Sequence, residues 1–213
     1  MHVFYLHGFA SSAQSRKATY LAERFRAHGV TLRCPDFNEP DFATLTTTRM
    51  LEQVAAEIAA AGRGPVTLIG SSLGGVVAIH TAARLLDRVD RLILLAPAVM
   101  FPKDADKVLG AGRVAEWRRT GTLDVLHHAN GATRRLNYAF YEDSLQYDAM
   151  AALVPQPALI FQGVRDDAVD PRIVQQYAAL RPHMLLTLLD DDHQLIASLP
   201  RIWSDMTVFL GLT

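Results

Sequence analysis

Six short apolar runs, separated by longer stretches of helical period, constrain this chain more than any other feature. The runs at residues 3–6, 31–34, 66–69, 92–95, 158–161 and 185–189 are largely apolar on both faces and end at Gly, Pro or Asp. Strands buried in a parallel sheet read this way. Between them, residues 15–28, 44–61, 73–86, 171–180 and 199–210 carry helical periodicity. Ser15 is placed to cap the first helix and Gly29 to stop it. In the second, Leu51, Val54 and Ile58 form an apolar stripe at i, i+3 and i+7. Such alternation predicts an α/β fold: a mostly parallel sheet of about six strands with helices on both faces. Ligands of such sheets bind beyond the carboxyl ends of the strands. With 213 residues, the whole chain, 1–213, is expected to form a single domain, since roughly 100–200 residues per domain is usual.

One stretch interrupts the alternation. Residues 98–154 show no clear strand and mix Trp117, Leu123, Tyr138, Phe140 and Tyr141 with many arginines. A connection of this length is abnormal unless it has helices and a task of its own. It is read as a small helical insertion acting as a lid or cap. The charge is almost balanced, 21 basic against 22 acidic residues for a net of −1, which gives no electrostatic reason to expect nucleic acid or an anionic membrane as partner. The longest apolar runs are too short to span a bilayer. The N-terminus has no basic segment followed by a long apolar one, and a cytoplasmic location is expected. The single cysteine, Cys34, allows no internal disulfide and no Cys-rich metal motif, and reads as a buried thiol.

Gly70-Ser71-Ser72-Leu73-Gly74 matches G-x-S-x-G in the setting that motif requires, after the strand at 66–69 and before the helix at 73–86. A serine on a sharp strand-to-helix turn needs small neighbours so that the backbone bends and the helix approaches closely. Ser72, centred between the glycines, is preferred over Ser71 as the nucleophile. A tetrahedral intermediate needs two preorganised N–H donors. Leu73 N–H, just after the nucleophile, is one. The loop His7-Gly8-Phe9 after the first strand should supply the other, taken to be Phe9 N–H. His7 itself reads as structural.

Chemistry of this kind on a parallel sheet runs in the chain order Ser, acid, His. The strand at 158–161 leads through Gly163 to Asp166 and Asp167, which compete as the acid, while Asp170 before Pro171 reads as a helix cap. The strand at 185–189 ends in Asp190-Asp191-Asp192-His193. His193 is the histidine that follows both the acid and a strand end. His183 precedes that strand, and His127 and His128 precede the acid. His193 would take the Ser72 proton during attack and return it to the leaving group, with the acid holding its tautomer. No metal or cofactor is called for.

Taken together, Tyr5-Leu6-His7-Gly8-Phe9-Ala10-Ser11-Ser12, Gly70-Ser71-Ser72-Leu73-Gly74-Gly75, Gly163-x-x-Asp166-x-x-Val169 and Asp192-His193 resemble the α/β-hydrolase superfamily and, within it, small bacterial esterases of the YqiA type. The resemblance spans almost the whole chain in the family's order. It implies the α/β-hydrolase fold, a Ser72–Asp166–His193 triad and Phe9 and Leu73 as oxyanion donors. Gly163 and Val169, aligned on the family's Gly-x-x-Asp-x-x-Val pattern, single out Asp166 over Asp167. Two departures are the absence of antiparallel strands before the oxyanion loop and of a large cap domain. The expected function is a carboxylesterase acting on a small-molecule ester. A thioesterase or other acyl-bond hydrolase is the alternative within enzymes, and a non-catalytic ligand-binding protein of the same fold is the alternative outside them. Trp117, Leu136 and Phe140 are expected to wall the acyl pocket, because an aromatic-rich segment emerges there from a strand at the catalytic edge.

Overall fold

The computed structural model describes residues 1–127 and 131–212, so His128 lies outside the described residues. Six parallel strands form the main sheet: β1 (His2–Leu6), β2 (Leu32–Arg33), β3 (Val66–Ser71), β4 (Val89–Leu95), β7 (Ala158–Gly163) and β8 (Met184–Leu189). Their order is β2-β1-β3-β4-β7-β8. The chain leaves β1 toward β2, then returns to lay β3 on the other side of β1. A crevice opens beyond the carboxyl ends of the strands at such a reversal.

Side chains along each strand alternate between two cores, as the two-residue repeat of a strand demands. Phe4, Leu6, Leu68, Leu94 and Ile160 face one core, which α2 (Thr47–Ala60), α3 (Leu73–Arg84) and α7 (Pro171–Ala179) cover. Val3, Tyr5, Ile69, Ile93 and Phe161 face the other, under α1 (Arg16–Ala27) and α8 (Leu199–Leu210). Strands β3 and β7 are buried at every position, whereas the edge strand β8 exposes Leu185 and Leu188. The caps act as their residue types predict. Ser15 accepts from Ala18 N–H, Asp170 accepts from Arg172 N–H with Pro171 behind it, and Gly29 takes φ +70° past the end of α1.

Three expectations are corrected. The run at 31–34 contributes only Leu32 and Arg33 as an edge strand, and Cys34 beyond it is half-buried, with burial still pushing its thiol up to about 11. The second helix starts at Thr47 rather than Thr44, because Thr46 is extended and caps it through Arg49 N–H. The insertion at 98–154 is not purely helical. It carries α4 (Ala105–Leu109), α5 (Arg113–Thr120) and α6 (Ala139–Ser144), together with an antiparallel hairpin of β5 (Thr122–His127) and β6 (Ala132–Asn137). Charged residues on both faces of the hairpin, Asp124 and Arg135 on the outer and Arg134 on the inner, hid its alternation. Arg135 opposes Asp124 across the strands, and Arg134 lies over the Phe42 ring, while Leu123 and Leu136 pair inward. The far end of the insertion is tied to α2, where Asp143 accepts from Thr48 N–H at 2.8 Å and Ser144 bonds Thr47 at 2.8 Å.

Candidate active site

Ser72 occupies the single-residue turn between β3 and α3, with φ 54° and ψ −117°. A non-glycine residue held there costs on the order of 1–3 kcal/mol, and persists only where the surroundings over-determine it. They do so here. Ser72 N–H donates to Leu95 O at 2.9 Å, and Ser72 O accepts from Gly75 N–H at 2.9 Å and Ala98 N–H at 3.2 Å. The first turn of α3 also presses onto β1, where a Cβ on Gly74 would stand 2.0 Å from Leu6 O. Only glycine permits that approach. Ser71 ends the strand and is buried, whereas Ser72 is half-buried; both border the cavity described below.

The loop after β1 is braced from outside. His7 Nδ1 lies 2.9 Å from Gly8 O and its Nε2 3.0 Å from Phe37 N, which holds the ring in place. Asp36 Oδ1 lies 3.3 Å from the same ring, and these contacts draw its carboxyl down to about 2. Asn38 donates to Ser11 O at 2.9 Å and accepts from the His127 ring at 2.8 Å, joining the hairpin to this loop. Ala10 takes φ 51°. Among the described residues, neither Phe9 N–H nor Leu73 N–H donates to a protein acceptor. Two backbone donors without protein acceptors, one after β1 and one after Ser72, flank the strained serine.

Asp166 lies just past β7 and its side chain is fully buried. Its Oδ2 accepts from His193 Nδ1–H at 2.8 Å and from Gln162 Nε2 at 2.8 Å, and its Oδ1 accepts from Val169 N–H at 2.8 Å and Ala168 N–H at 2.9 Å. Burial opposes its charge, but the bonds from His193, Val169 and Gln162 outweigh it and hold the carboxyl below its ordinary range. Asp167 is exposed and makes no bond to His193. With Nδ1 engaged by Asp166, Nε2 is the His193 ring nitrogen left for another partner. The loop bearing His193 is clamped by Asp191, which accepts from Ser198 N–H at 2.8 Å, and by Lys17, which donates to Gln194 O at 3.0 Å. It also packs on β7 so closely that a Cβ on Gly163 would meet Asp191 O and Asp192 O at 2.5 Å.

Ser72 and His193 line one cavity of about 680 Å³. In this arrangement no hydrogen bond joins Ser72 Oγ to the ring, and such contacts commonly tighten only with substrate in place. Trp117 and Phe140 border the cavity together with Phe101, Leu109 and Leu123. Leu136 does not. It is fully buried behind them, and its carbonyl accepts from Trp117 Nε1–H at 3.1 Å, because its position in β6 turns it inward onto Leu123. Among the described residues, no three His, Cys, Asp or Glu side chains are grouped to hold a metal ion.

Sequence reading overlooked Lys17 and Gln162. Lys17 lies on the buried face of α1 with Leu21 and Phe25 at i+4 and i+8, and a lysine in that register is the signal that was there to find. Gln162 is a polar residue within a fully buried strand, which is equally unusual.

A family model described as "Uncharacterised protein family (UPF0227)" matches residues 2–209. The chain belongs to UPF0227. This UPF0227 chain also matches solved structures over nearly all its length. Est1E of Butyrivibrio proteoclasticus, with ferulic acid bound, gives a TM-score of 0.82 at 21% identity, covering 98% of this chain and 89% of that one. The mouse alpha/beta hydrolase domain-containing protein 10 gives 0.82 at 22% identity, covering 100% and 90%. The fold is therefore the α/β-hydrolase fold. Curated relatives match over shorter stretches. Lipase LipV of Mycobacterium tuberculosis is 43% identical over 60 residues, 28% of this chain and 23% of LipV. The biotin biosynthesis bifunctional protein BioHC of Teredinibacter turnerae is 32% identical over 120 residues, 54% of this chain and 20% of BioHC. The matched stretches are under a quarter of either relative's length. No helix among the described residues is long and apolar enough to cross a membrane.

Proposed function

We propose that this protein is a serine hydrolase that cleaves small carboxylic esters through an acyl-enzyme. Ser72 is the nucleophile, His193 the general base and acid, and Asp166 the group that orients His193. The observation carrying this reading is the His193 Nδ1–Asp166 Oδ2 bond of 2.8 Å, which leaves Nε2 as the ring nitrogen available to act as base, on a cavity shared with a serine in a strained turn. Ser72 Oγ attacks the ester carbonyl as Nε2 takes its proton. The resulting oxyanion lies between Phe9 N–H and Leu73 N–H, each worth about 10²–10³ in rate. Collapse expels the alcohol, protonated by His193, and water then repeats the sequence to free the acid. Residues 98–154 serve as the lid, with Trp117 and Phe140 walling the acyl end of the cavity. The name of LipV, a lipase, accords with this reading.

The test is turnover of 4-nitrophenyl butyrate. Ser72→Ala and His193→Ala should each lower it by about 10⁴ or more. Retention of most activity in either folded variant removes that residue from the mechanism.

A further inference from the structure

The cavity beside Ser72 has two unlike sides. The insertion contributes Trp117, Leu123 and Phe140, which are apolar. The opposite core's helix, α1, contributes Arg16 and Lys17, and Ser11 and Gln194 lie beside them. Lys17 is 7% exposed. Its ammonium has three donors, yet among the described residues its one bond is to Gln194 O at 3.0 Å, and none of their carboxylates stands within salt-bridge distance. Asp166, Asp191 and Asp192 act on it only through space. Arg16 is exposed and has no ion pair among the described residues. A buried cation without a contact partner is costly to keep. Holding one carbonyl does not require a charge, since a neutral donor or water satisfies it. The cost leaves its mark on the group itself: burial pushes the Lys17 ammonium down to about 8. Asp104, the one carboxylate lining the cavity among the described residues, comes from the insertion rather than from α1.

We propose that Lys17 and Arg16 form an anion-accepting subsite on the α1 side of the catalytic cavity, so that the preferred substrate is an ester with an apolar acyl group and a carboxylate on its alcohol portion. This rests on the hydrolase reading above and adds the substrate class to it. The acyl group lies against Trp117 and Phe140, and the carboxylate takes the Lys17 donors that the protein leaves unused.

The test compares 3-carboxyphenyl butyrate with its neutral near-isostere 3-carbamoylphenyl butyrate, each rate divided by that ester's hydroxide-catalysed rate. The wild-type protein should prefer the carboxylate in kcat/KM by about tenfold, the order of one charge-assisted hydrogen bond. Lys17→Met should bring that ratio near one, and Lys17→Arg should keep most of it. A role confined to holding Gln194 would lower both esters together and leave the ratio unchanged, which overturns the subsite. A measurement on the wild type alone guards against a variant that fails to fold. 3-Hydroxybenzoate should inhibit about tenfold more tightly than 3-hydroxybenzamide, and equal inhibition overturns the proposal. A preference for mono(4-nitrophenyl) glutarate over 4-nitrophenyl butyrate, without one for the carboxyphenyl ester, overturns the assigned orientation. Hydrolysis of the carbamoyl ester without carboxylate preference defeats the subsite and spares the hydrolase reading. Hydrolysis of neither ester defeats both.

Discussion

Replacing Gly163 by alanine is a sharp test, because it perturbs His193 without touching a reacting atom. Gly163 closes β7, and its added Cβ would stand 2.5 Å from the carbonyl oxygens of both Asp191 and Asp192. Ordinary contact begins at 3.4 Å, so the loop must retreat by about 0.9 Å, the difference between those two distances. Asp166 does not retreat with it, being held by Ala168 N–H, Val169 N–H and Gln162. The 2.8 Å bond from His193 to Asp166 would then lengthen beyond hydrogen-bond range, and Nε2 would lose its aim on Ser72. Displacement of a reacting group by about 1 Å costs on the order of 10² in rate, and that loss is expected in kcat for 4-nitrophenyl butyrate. Circular dichroism should show a folded chain, since the clash lies at a loop rather than in either core. A folded variant with wild-type kcat would refute the reasoning, because it would mean that the placement of His193 does not matter.

Other consequences follow from the same contacts. Asp166→Asn should lower kcat by about 10⁴ through loss of the correct His193 tautomer, while the exposed Asp167→Asn should change it little; kinetics showing the reverse order would move the acid by one residue. Lys17→Met should stabilise the protein at pH 7 by up to about 3 kcal/mol. Its ammonium titrates at about 8 when folded against 10.5 ordinarily, so below pH 8 both states hold the proton and the folded chain carries the whole cost. Between those values the unfolded chain binds more protons, and stability rises with pH. Urea midpoints at pH 7 and pH 10 should show this rise in the wild type and lose it in Lys17→Met, and a lower midpoint for the variant at pH 7 would contradict it. Phe140→Ala and Trp117→Ala should shift preference toward longer acyl chains, measured over a graded series of 4-nitrophenyl esters, and an unchanged profile would reduce both rings to packing.

The sheet was legible because its strands β1, β3, β4 and β7 are apolar on both faces, a pattern that only a two-sided burial explains. The turn at Ser72 was legible because Gly70 and Gly74 flank it between a strand and a helix. Other features depend on tertiary partners that no local pattern encodes. The β5–β6 hairpin alternates, but Asp124 and Arg135 fill its outer face and Arg134 interrupts its inner one, so the stretch reads as a charged loop. Leu136 and Phe140 look alike as apolar candidates, and only the register of β6 turns the first away from the cavity that the second borders. Asp166 and Asp167 are adjacent acids of the same type. What separates them is the turn after β7, which buries one against Val169 N–H and His193 and leaves the other in solvent. Lys17 escaped notice because a first-turn lysine ordinarily points to water.

The most direct measurement is to treat the protein with a fluorophosphonate, which reacts only with a serine whose hydroxyl is activated, and to locate the adduct by intact mass and peptide mapping. One adduct per chain is expected, on the peptide containing Ser72, formed at a rate that His193→Ala sharply reduces. An unlabelled protein, or label on Ser71 or any other serine at a rate indifferent to His193, would contradict the account.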